Sequence, residues 1–153
     1  MMISTKGRYV LRVMIDLAEH PTDGYVPLKE ISDRQGISKE YLNNILKVLV
    51  QNKMLISLRG KGGGYKLIGP PESYSVGSIL RLVEGNLAPV PCAAEPCERA
   101  AHCPSLPMWQ KLDRMINDFF DNITLADLME SDEEKAAQLS GEPFRCIPGG
   151  GEQ

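Results

Sequence analysis

Apolar residues recur every three or four positions along several segments of the chain, and each of these segments predicts an amphipathic helix. The first segment follows Ser4, a residue type that caps helix N-termini, and ends near His20-Pro21. Its predicted buried positions are Val10, Val13, Met14, Leu17 and Ala18.

The second and third predicted helices are separated by only about three residues. The second begins at Pro27, which fits a first helical turn, and stops at Gly36, while the third begins at Ser38 as its N-cap. Their predicted inward positions are Leu28, Ile31, Leu42, Ile45, Leu46 and Leu49. Two helices joined by so short a glycine-containing turn are typical of a helix-turn-helix, whose second helix enters the DNA major groove.

A β-hairpin is predicted next, because two β-prone runs at 55–58 and 65–68 flank the segment RGKGGG at 59–64. Ser75 then caps a further helix that Gly85 should stop. A helical unit followed by a basic hairpin is the order of a winged helix. We expect residues 1–85 to form this DNA-binding head.

The second half of the chain changes character. Residues 86–104 are rich in proline and cysteine and are predicted to be an irregular loop. Residues 105–130 should hold a helix of about twenty residues, then a short helix opened by a Thr124-Asp127 capping box. The long helix carries one apolar stripe, at Leu106, Trp109, Leu112, Ile116, Phe119 and Ile123. The acidic, glycine-rich tail at 131–153 is predicted to be disordered.

The aromatic residues of the long helix, Trp109, Phe119 and Phe120, could line a ligand pocket, but an aromatic stripe at helical spacing is more often packing. A single amphipathic helix outside the head has little else to cover it. Helix-turn-helix proteins commonly bind paired half-sites as dimers, so we expect a homodimer.

Charge is distributed unevenly along the chain, although its net value is only -3. Residues 1–81 hold 12 basic against 7 acidic residues, whereas residues 82–153 hold 5 against 13. The basic half is therefore the candidate for a phosphate partner, namely double-stranded DNA.

The hairpin tip combines cations with glycines that let the backbone approach a phosphate or a narrow groove. A flexible turn and a nucleotide-binding loop are the alternatives, but the segment lacks the P-loop frame. The predicted DNA contacts of the tip are Arg59, Gly60, Lys61, Gly62 and Gly63.

The third helix presents polar residues outward, which alone would also suit a merely solvated face. Its position directly before a basic hairpin favours DNA recognition, with Asn43 and Asn44 as candidates for adenine edges. The predicted contacts on this helix are Ser38, Lys39, Glu40, Tyr41, Asn43, Asn44 and Lys47.

Three cysteines follow the pattern Cys92-x4-Cys97-x5-Cys103, which differs from the paired spacing of zinc ribbons. Three soft ligands within twelve residues suit an iron-sulfur cluster or zinc, and a thiol redox switch or no function stays open. The fourth ligand must come from elsewhere: His102 and Glu98 are nearby candidates, Glu95 is another, and Cys146 is remote.

No apolar run has the length of a membrane span, and MMISTKGRYV lacks the apolar stretch of a signal peptide. We therefore expect a cytoplasmic protein that does not contact a membrane. No flavin fingerprint or nucleophile-base set is recognisable, so we do not expect an enzyme, and an electron-transfer role is the less favoured alternative.

Several segments closely resemble the Rrf2 family of bacterial transcription regulators, over about residues 1–130. They are STKGRY from Ser4, VPLKEISDRQGIS from Val26, Tyr41-Leu42, RGKGGGY, VGSILRLVEG from Val76, Trp109 and NITLADL from Asn122. The likeness is strongest to the branch that regulates iron-sulfur cluster assembly.

This resemblance implies a homodimeric repressor or dual regulator, with a winged-helix head and a long crossing helix. Its operator affinity would follow an iron-sulfur cluster, with 2Fe-2S favoured over 4Fe-4S, held by Cys92, Cys97 and Cys103, and its targets would be cluster-assembly or stress genes. A cluster-free member controlling sulfur or cysteine metabolism is the alternative.

The chain departs from the pattern of that branch at several positions. Leu106 replaces a histidine ligand, and Asn43 replaces a glutamate of the recognition helix. Arg8 stands where nitric-oxide-sensing relatives place an acidic residue, and the first two cysteines are one residue closer together.

Overall fold

The structure is a computed structural model that describes residues 3–129. Its elements, in chain order, are α1 (Thr5–Glu19), α2 (Leu28–Gln35), α3 (Lys39–Gln51), β1 (Leu55–Leu58), β2 (Gly64–Leu67), α4 (Val76–Glu84), α5 (Pro91–Ala94), α6 (Leu106–Asp121) and α7 (Leu125–Leu128). Two 3₁₀ turns, Pro71–Ser73 and Ala100–His102, lie between them. The prediction of a mainly α fold with a small β-hairpin is confirmed.

Helix α1 lies at the centre of the fold. Ser4 caps it by accepting a hydrogen bond from the Gly7 amide at 3.0 Å. Its predicted apolar positions are all buried, and it packs against α2, α3, α4, α7 and β2. Leu11 touches both the main core and a second apolar cluster between α4 and α6. The N-terminal elements are thus arranged around one helix.

The helix-turn-helix forms as the pattern predicts. Gly36 ends α2 in the left-handed conformation at φ 63°, which glycine adopts without steric cost. The Ser32 hydroxyl donates to the carbonyl of Ile37, and the Ser38 hydroxyl accepts from the amide of Tyr41, so both sides of the turn are held. Pro27 occupies the N-cap of α2 instead of its first turn.

The antiparallel hairpin pairs Leu55 with Leu67 and Leu58 with Gly64. Strand β2 begins one residue earlier than predicted and ends before Ile68. A bridge between Val26 and Tyr65 adds the segment before α2 to the hairpin, through amide-to-carbonyl hydrogen bonds of 2.9 Å in both directions. The hairpin is therefore fixed to the helix-turn-helix and does not project freely.

The second half differs from the prediction in two respects. The loop at 86–104 is not wholly irregular, because prolines at helix N-termini are compatible with a first turn, and Pro91 opens α5. Helix α6 has 16 residues instead of about twenty, and Ile123 follows its end. The capping box of Thr124 and Asp127 forms as expected.

The apolar stripe predicted for α6 is divided between two faces. One face packs Ile116 and Phe120 against α4. The other leaves Leu112 and Phe119 of the predicted stripe exposed, together with Met108 and Met115, which were not predicted in it; Phe119 is 62% exposed. The prediction of a single stripe was wrong. An α-helix has 3.6 residues per turn, so side chains spaced irregularly by three or four residues spread over more than one face of the helix.

No helix within residues 3–129 has the length and hydropathy required to cross a bilayer. The predicted disordered tail and Cys146 lie outside the described residues.

The main core contains one buried charge, the carboxylate of Asp16, which is 1% exposed. It accepts two hydrogen bonds from the Arg34 guanidinium, at 2.9 and 2.8 Å, and one from the Gln35 amide at 2.9 Å. Burial raises the pKa of Asp16, but the hydrogen bonds from Arg34 and Gln35 outweigh it and hold the pKa below its usual value. The network ties α2 to α1.

We expect Asp16→Asn to lower the free energy of unfolding by about 2 kcal/mol at neutral pH, because it weakens charge-assisted hydrogen bonds to Arg34. The folded-state pKa of Asp16 is lowered, so its contribution is present above about pH 4 and is lost as the pH falls through the lowered value. Urea unfolding from pH 7 to pH 3 should therefore show a shallower acid loss in Asp16→Asn.

Glu30→Gln is the matched control, since Glu30 pairs with the same Arg34 at 3.4 Å but is exposed. It should change stability by less than about 0.5 kcal/mol. Equal effects of the two substitutions would contradict the assignment.

Candidate nucleic-acid interface and cysteine loop

Helix α3 exposes a polar stripe because its apolar side is completely buried in the core. Leu42, Ile45, Leu46 and Leu49 are all 0% exposed. The opposite side presents Lys39, Asn43 and Lys47 four residues apart, with Glu40 and Asn44 beside them, and all five are exposed. Packing of the leucines thus determines which residues of α3 face outward.

A groove of about 600 Å³ separates this stripe from the hairpin. Asn43, Lys47 and Gln51 line one wall, and Arg59 and Gly63 line the other. The structure therefore brings together predicted site residues from both elements. Lys39, Glu40, Asn44 and Lys61 do not line this groove but lie on exposed surface beyond it.

Several groove residues were not among the predicted contacts, and Ser57 and Leu28 are two of them. Ser57 lies two residues after Leu55 and therefore on the same face of β1, so the period of two in a strand could have indicated its face. Leu28 was assigned only to the core, yet it is half-buried at the start of α2 and borders the groove.

The hairpin tip forms from glycines in conformations that other residues rarely adopt. Gly60 and Gly62 have φ values of 94° and 75°, and the amide of Gly63 donates to the carbonyl of Gly60 at 3.0 Å. A Cβ at Gly63 would overlap the Leu58 carbonyl, and one at Gly64 would overlap the Val26 carbonyl. Turn geometry and close backbone approach thus account for these glycines within the chain itself.

The cations beside the groove have no acidic partners within residues 3–129. The acidic members of the ion pairs there are Asp16, Glu30 and Asp121. Lys47, Arg59 and Lys61 belong to none of these pairs, and they are exposed. The surface is positively charged where the polar stripe of α3 meets the hairpin, which we call the wing.

Two predicted contact residues have roles inside the fold. The Ser38 hydroxyl caps α3. The half-buried ring of Tyr41 packs edge-on against Tyr9 at 5.7 Å, and the Arg12 guanidinium lies 5.3 Å from the centre of the Tyr9 ring. These contacts help to orient the first turns of α3.

The three cysteines of the loop lie on different short elements. Cys92 is in the first turn of α5, Cys97 precedes the second 3₁₀ turn, and Cys103 follows it directly. All three are free and half-buried. The Cys103 thiol lies 3.4 Å from the Ser105 hydroxyl, whose hydrogen bond lowers the pKa of Cys103.

These cysteines supply the sulfur donors that a cluster needs, but their three thiols are not close together in the structure. Within residues 3–129, no three histidine, cysteine or acidic side chains are close enough to hold a metal ion. His102 and Glu98, the nearby candidates for a fourth ligand, are exposed, while Leu106 is buried at the start of α6. A bound cluster would require the loop to rearrange.

A family model described as Rrf2, iron-dependent transcriptional regulator, matches residues 3–131. The chain belongs to the Rrf2 family. The HTH-type transcriptional regulator IscR of Erwinia tasmaniensis is 38% identical over 134 residues, which cover 87% of this chain and 81% of that protein. IscR of Yersinia enterocolitica is 37% identical over the same share of this chain and 82% of its own length.

Solved structures of other Rrf2-type regulators have the same fold. CymR, the global cysteine regulator of B. subtilis, superposes with a TM-score of 0.72 at 33% identity, over 84% of this chain and 96% of its own. T. potens IscR superposes with a TM-score of 0.67 at 34% identity, over 94% and 93%. The predicted winged-helix fold and family are confirmed, and this Rrf2 protein is a DNA-binding transcriptional regulator.

Proposed function

We propose that this regulator binds a paired operator in double-stranded DNA as a homodimer, using α3 and the hairpin of each protomer, and that it acts as a repressor or dual regulator. The observation that carries the proposal is the groove between Asn43-Lys47 and Arg59, bordered by cations that form no ion pair with the acidic residues of the described range 3–129. Such an arrangement matches an α-helix in the major groove with a wing beside it.

The two walls of the groove would have different tasks. Asn43 and Asn44 each carry an amide that can pair with the N6 and N7 atoms of adenine. Lys39, Lys47 and the backbone of the tip at Gly60 and Gly62 would contact phosphates, which position the protein without reading sequence. Arg59 and Lys61, at the tip, would bind phosphate or enter the minor groove.

Dimerisation would use the exposed face of α6. Met108, Leu112, Met115 and Phe119 are spaced by four, three and four residues, which is the spacing of a coiled-coil seam. A symmetric pair of these helices would cover the four apolar side chains on each protomer and place two heads on two half-sites.

The thiolates of Cys92, Cys97 and Cys103 would hold an iron-sulfur cluster, with 2Fe-2S favoured, once the loop rearranges. Support comes from the donor type, from the 38% identity to IscR and from the iron-dependent description of the family. A bound cluster would supply a redox- and iron-dependent link between ligands in the loop. We propose that it modulates operator affinity at cluster-assembly or stress genes.

A cluster-free regulator of cysteine metabolism is the second candidate, because the similarity to CymR is as close in structure as that to T. potens IscR. In that case DNA binding would persist in a protein that binds no iron. The two candidates therefore differ in metal content and share the same DNA surface.

The DNA surface is tested by the double substitution Arg59→Ala and Lys61→Ala. Each lost phosphate contact removes about one unit from the slope of log K against log salt. We expect at least tenfold weaker binding at about 0.1 M salt and a slope reduced by one to two units, measured by fluorescence anisotropy on an operator selected from a random duplex library.

Lys66→Ala is the matched control. Lys66 lies on the same hairpin but borders a different cavity, beside Leu17 and His20. It should leave affinity and slope nearly unchanged. Wild-type affinity in the Arg59 and Lys61 double variant would rule out the wing as a DNA contact.

The dimer is tested by Phe119→Asp, which places a charge in the exposed stripe of α6. Burial of an unpaired carboxylate is costly, so the variant should sediment as a monomer while the wild-type chain sediments as a dimer. Gln110→Asp adds the same charge at an exposed position nearly opposite the stripe and should remain dimeric. A dimeric Phe119→Asp variant would place the interface elsewhere.

The cluster is tested by anaerobic purification followed by a visible spectrum and by iron and sulfide analysis. Cys97→Ser should abolish bound iron and sulfide, whereas Cys146→Ser should retain them if the remote cysteine is not a ligand. A colourless wild-type protein that fails chemical reconstitution would reject the cluster and favour the CymR-like alternative, with DNA binding intact.

A further inference from the structure

Helices α4 and α6 meet through an apolar seam and a polar clamp beside it. In the seam, Val76 and Leu80 of α4 pack with Ile116 and Phe120 of α6. Apolar attraction of this kind is non-directional, so it restricts the angle between the two helices less sharply than oriented hydrogen bonds do.

The clamp is formed by the guanidinium of Arg81 on α4, which faces three polar residues of α6. Its two terminal nitrogens donate to the two carboxylate oxygens of Asp121, at 2.7 and 2.9 Å. One of them also donates to the side-chain oxygen of Asn117 at 2.5 Å, and the Asn117 amide donates to the carboxylate of Asp113 at 3.2 Å. A planar fork bound bidentately accepts only a narrow range of orientations.

Gly77 leaves the space that the clamp occupies. A Cβ at this position would overlap the Oδ1 atom of Asp121 and approach the Nη1 atom of Arg81 to 2.9 Å. Gly77 is buried on α4, one turn before Arg81, in a helical conformation that alanine also adopts. Packing around the ion pair, and not backbone conformation, thus favours glycine here.

Stability does not explain this arrangement well. The side chains of Arg81 and Asp121 are 31% and 46% exposed, and exposed ion pairs contribute little to folding because water and salt screen them. A bidentate pair at this position restricts the relative orientation of the two side chains more than it stabilises the fold. It determines how α6 is oriented on the head.

The clamp lies near the C-terminal end of α6, so a small rotation of the helix there displaces its N-terminal end. Near the C-terminal end of α6, the Val76 amide donates to the Ile123 carbonyl at 2.8 Å, and the Leu125 amide donates to the Tyr74 carbonyl at 2.9 Å. Helix α6 also packs against α5 in the cysteine loop. The clamp, the seam and these backbone hydrogen bonds join α6 to the head toward its C-terminal end.

Asn117 and Asp121 lie on the side of α6 nearly opposite the exposed stripe of Met108, Leu112, Met115 and Phe119. A helix of 16 residues is about 24 Å long, so a swing of about 10° at the clamp moves its far end by about 4 Å. One base-pair step is about 3.4 Å. The displacement that a small rotation at the clamp produces at the far end of α6 is thus comparable to the rise of one base pair in the spacing between half-sites.

We propose that Arg81 is a positioning residue for operator recognition: its clamp on Asp121 and Asn117 sets the angle between α6 and the winged-helix head, and thereby the half-site spacing that the dimer accepts. This rests on the proposed homodimeric DNA binding. The clamp acts through α6 and makes no contact with DNA.

The test uses the full chain, purified anaerobically, and the operator that the wild-type chain selects from a random duplex library. Affinity is measured for the selected duplex, for duplexes with one base pair added or removed between half-sites, and for an isolated half-site. The wild-type chain should prefer the selected spacing at least tenfold. Arg81→Gln and Asp121→Asn should reduce that preference to threefold or less, with half-site affinity within twofold of wild type.

The double variant of Arg81→Gln and Asp121→Asn should resemble each single variant, because one contact is lost in all three. Gly77→Ala should give the same loss of preference by displacing the Asp121 carboxylate while leaving both clamp partners present. Asp118→Asn, at an exposed neighbouring position, and Gly24→Ala, where a Cβ meets nothing within 4 Å, should both retain the wild-type preference.

Sedimentation of the same samples separates the outcomes. Dimeric clamp variants that retain the wild-type spacing preference would overturn the proposal. Clamp variants that become monomeric or unfold would also overturn it, because the contact would then support assembly or stability. Failure of the wild-type chain to select a paired operator would instead reject the proposed function, and this inference with it.

Discussion

The burial of α1 is the constraint on which the rest of the head depends. This helix packs against α2, α3, α4, α7 and β2, so an error in its position would displace α3, the hairpin and α4 together. Apolar packing would allow α2 to slide along it. The buried carboxylate of Asp16, bound by Arg34 and Gln35, adds the directional contact that holds α2, and through the tight turn at Gly36 it also holds α3.

The groove that we propose to bind DNA follows from this packing. Because four apolar residues of α3 are completely buried, its remaining face is determined, and Asn43 and Lys47 must point toward the hairpin. The bridge between Val26 and Tyr65 seats the hairpin on the segment before α2, so both walls of the groove rest on one framework. A preformed groove costs less ordering entropy on binding than a free wing would.

The local features of this chain could be predicted from its sequence, and the non-local ones could not. Helix caps at Ser4, Ser38 and Ser75 and the turn at Gly36 follow from residue type and spacing, because each is decided within a few residues. The partners of Asp16 and Arg81 lie 18 and 40 positions away, where no local rule applies. The prediction of a single stripe on α6 failed for a related reason. The sequence pattern shows that apolar residues recur along the helix, but it does not show which neighbouring element covers each of them.

Helix α4 connects the two halves of the molecule through polar contacts at positions three residues apart. Glu84 accepts hydrogen bonds from the amide and hydroxyl of Ser4 at the start of α1, while Arg81 binds α6. The cysteine loop leaves the end of α4 and returns at the start of α6, so it is joined directly to both helices. A displacement of α6 must stretch the Arg81 contacts or move α4 with it, and a displacement of α4 must carry the cap of α1. Directional contacts thus run from α6, where the cysteine loop ends, through α4 to the start of α1, the helix on which α3 packs.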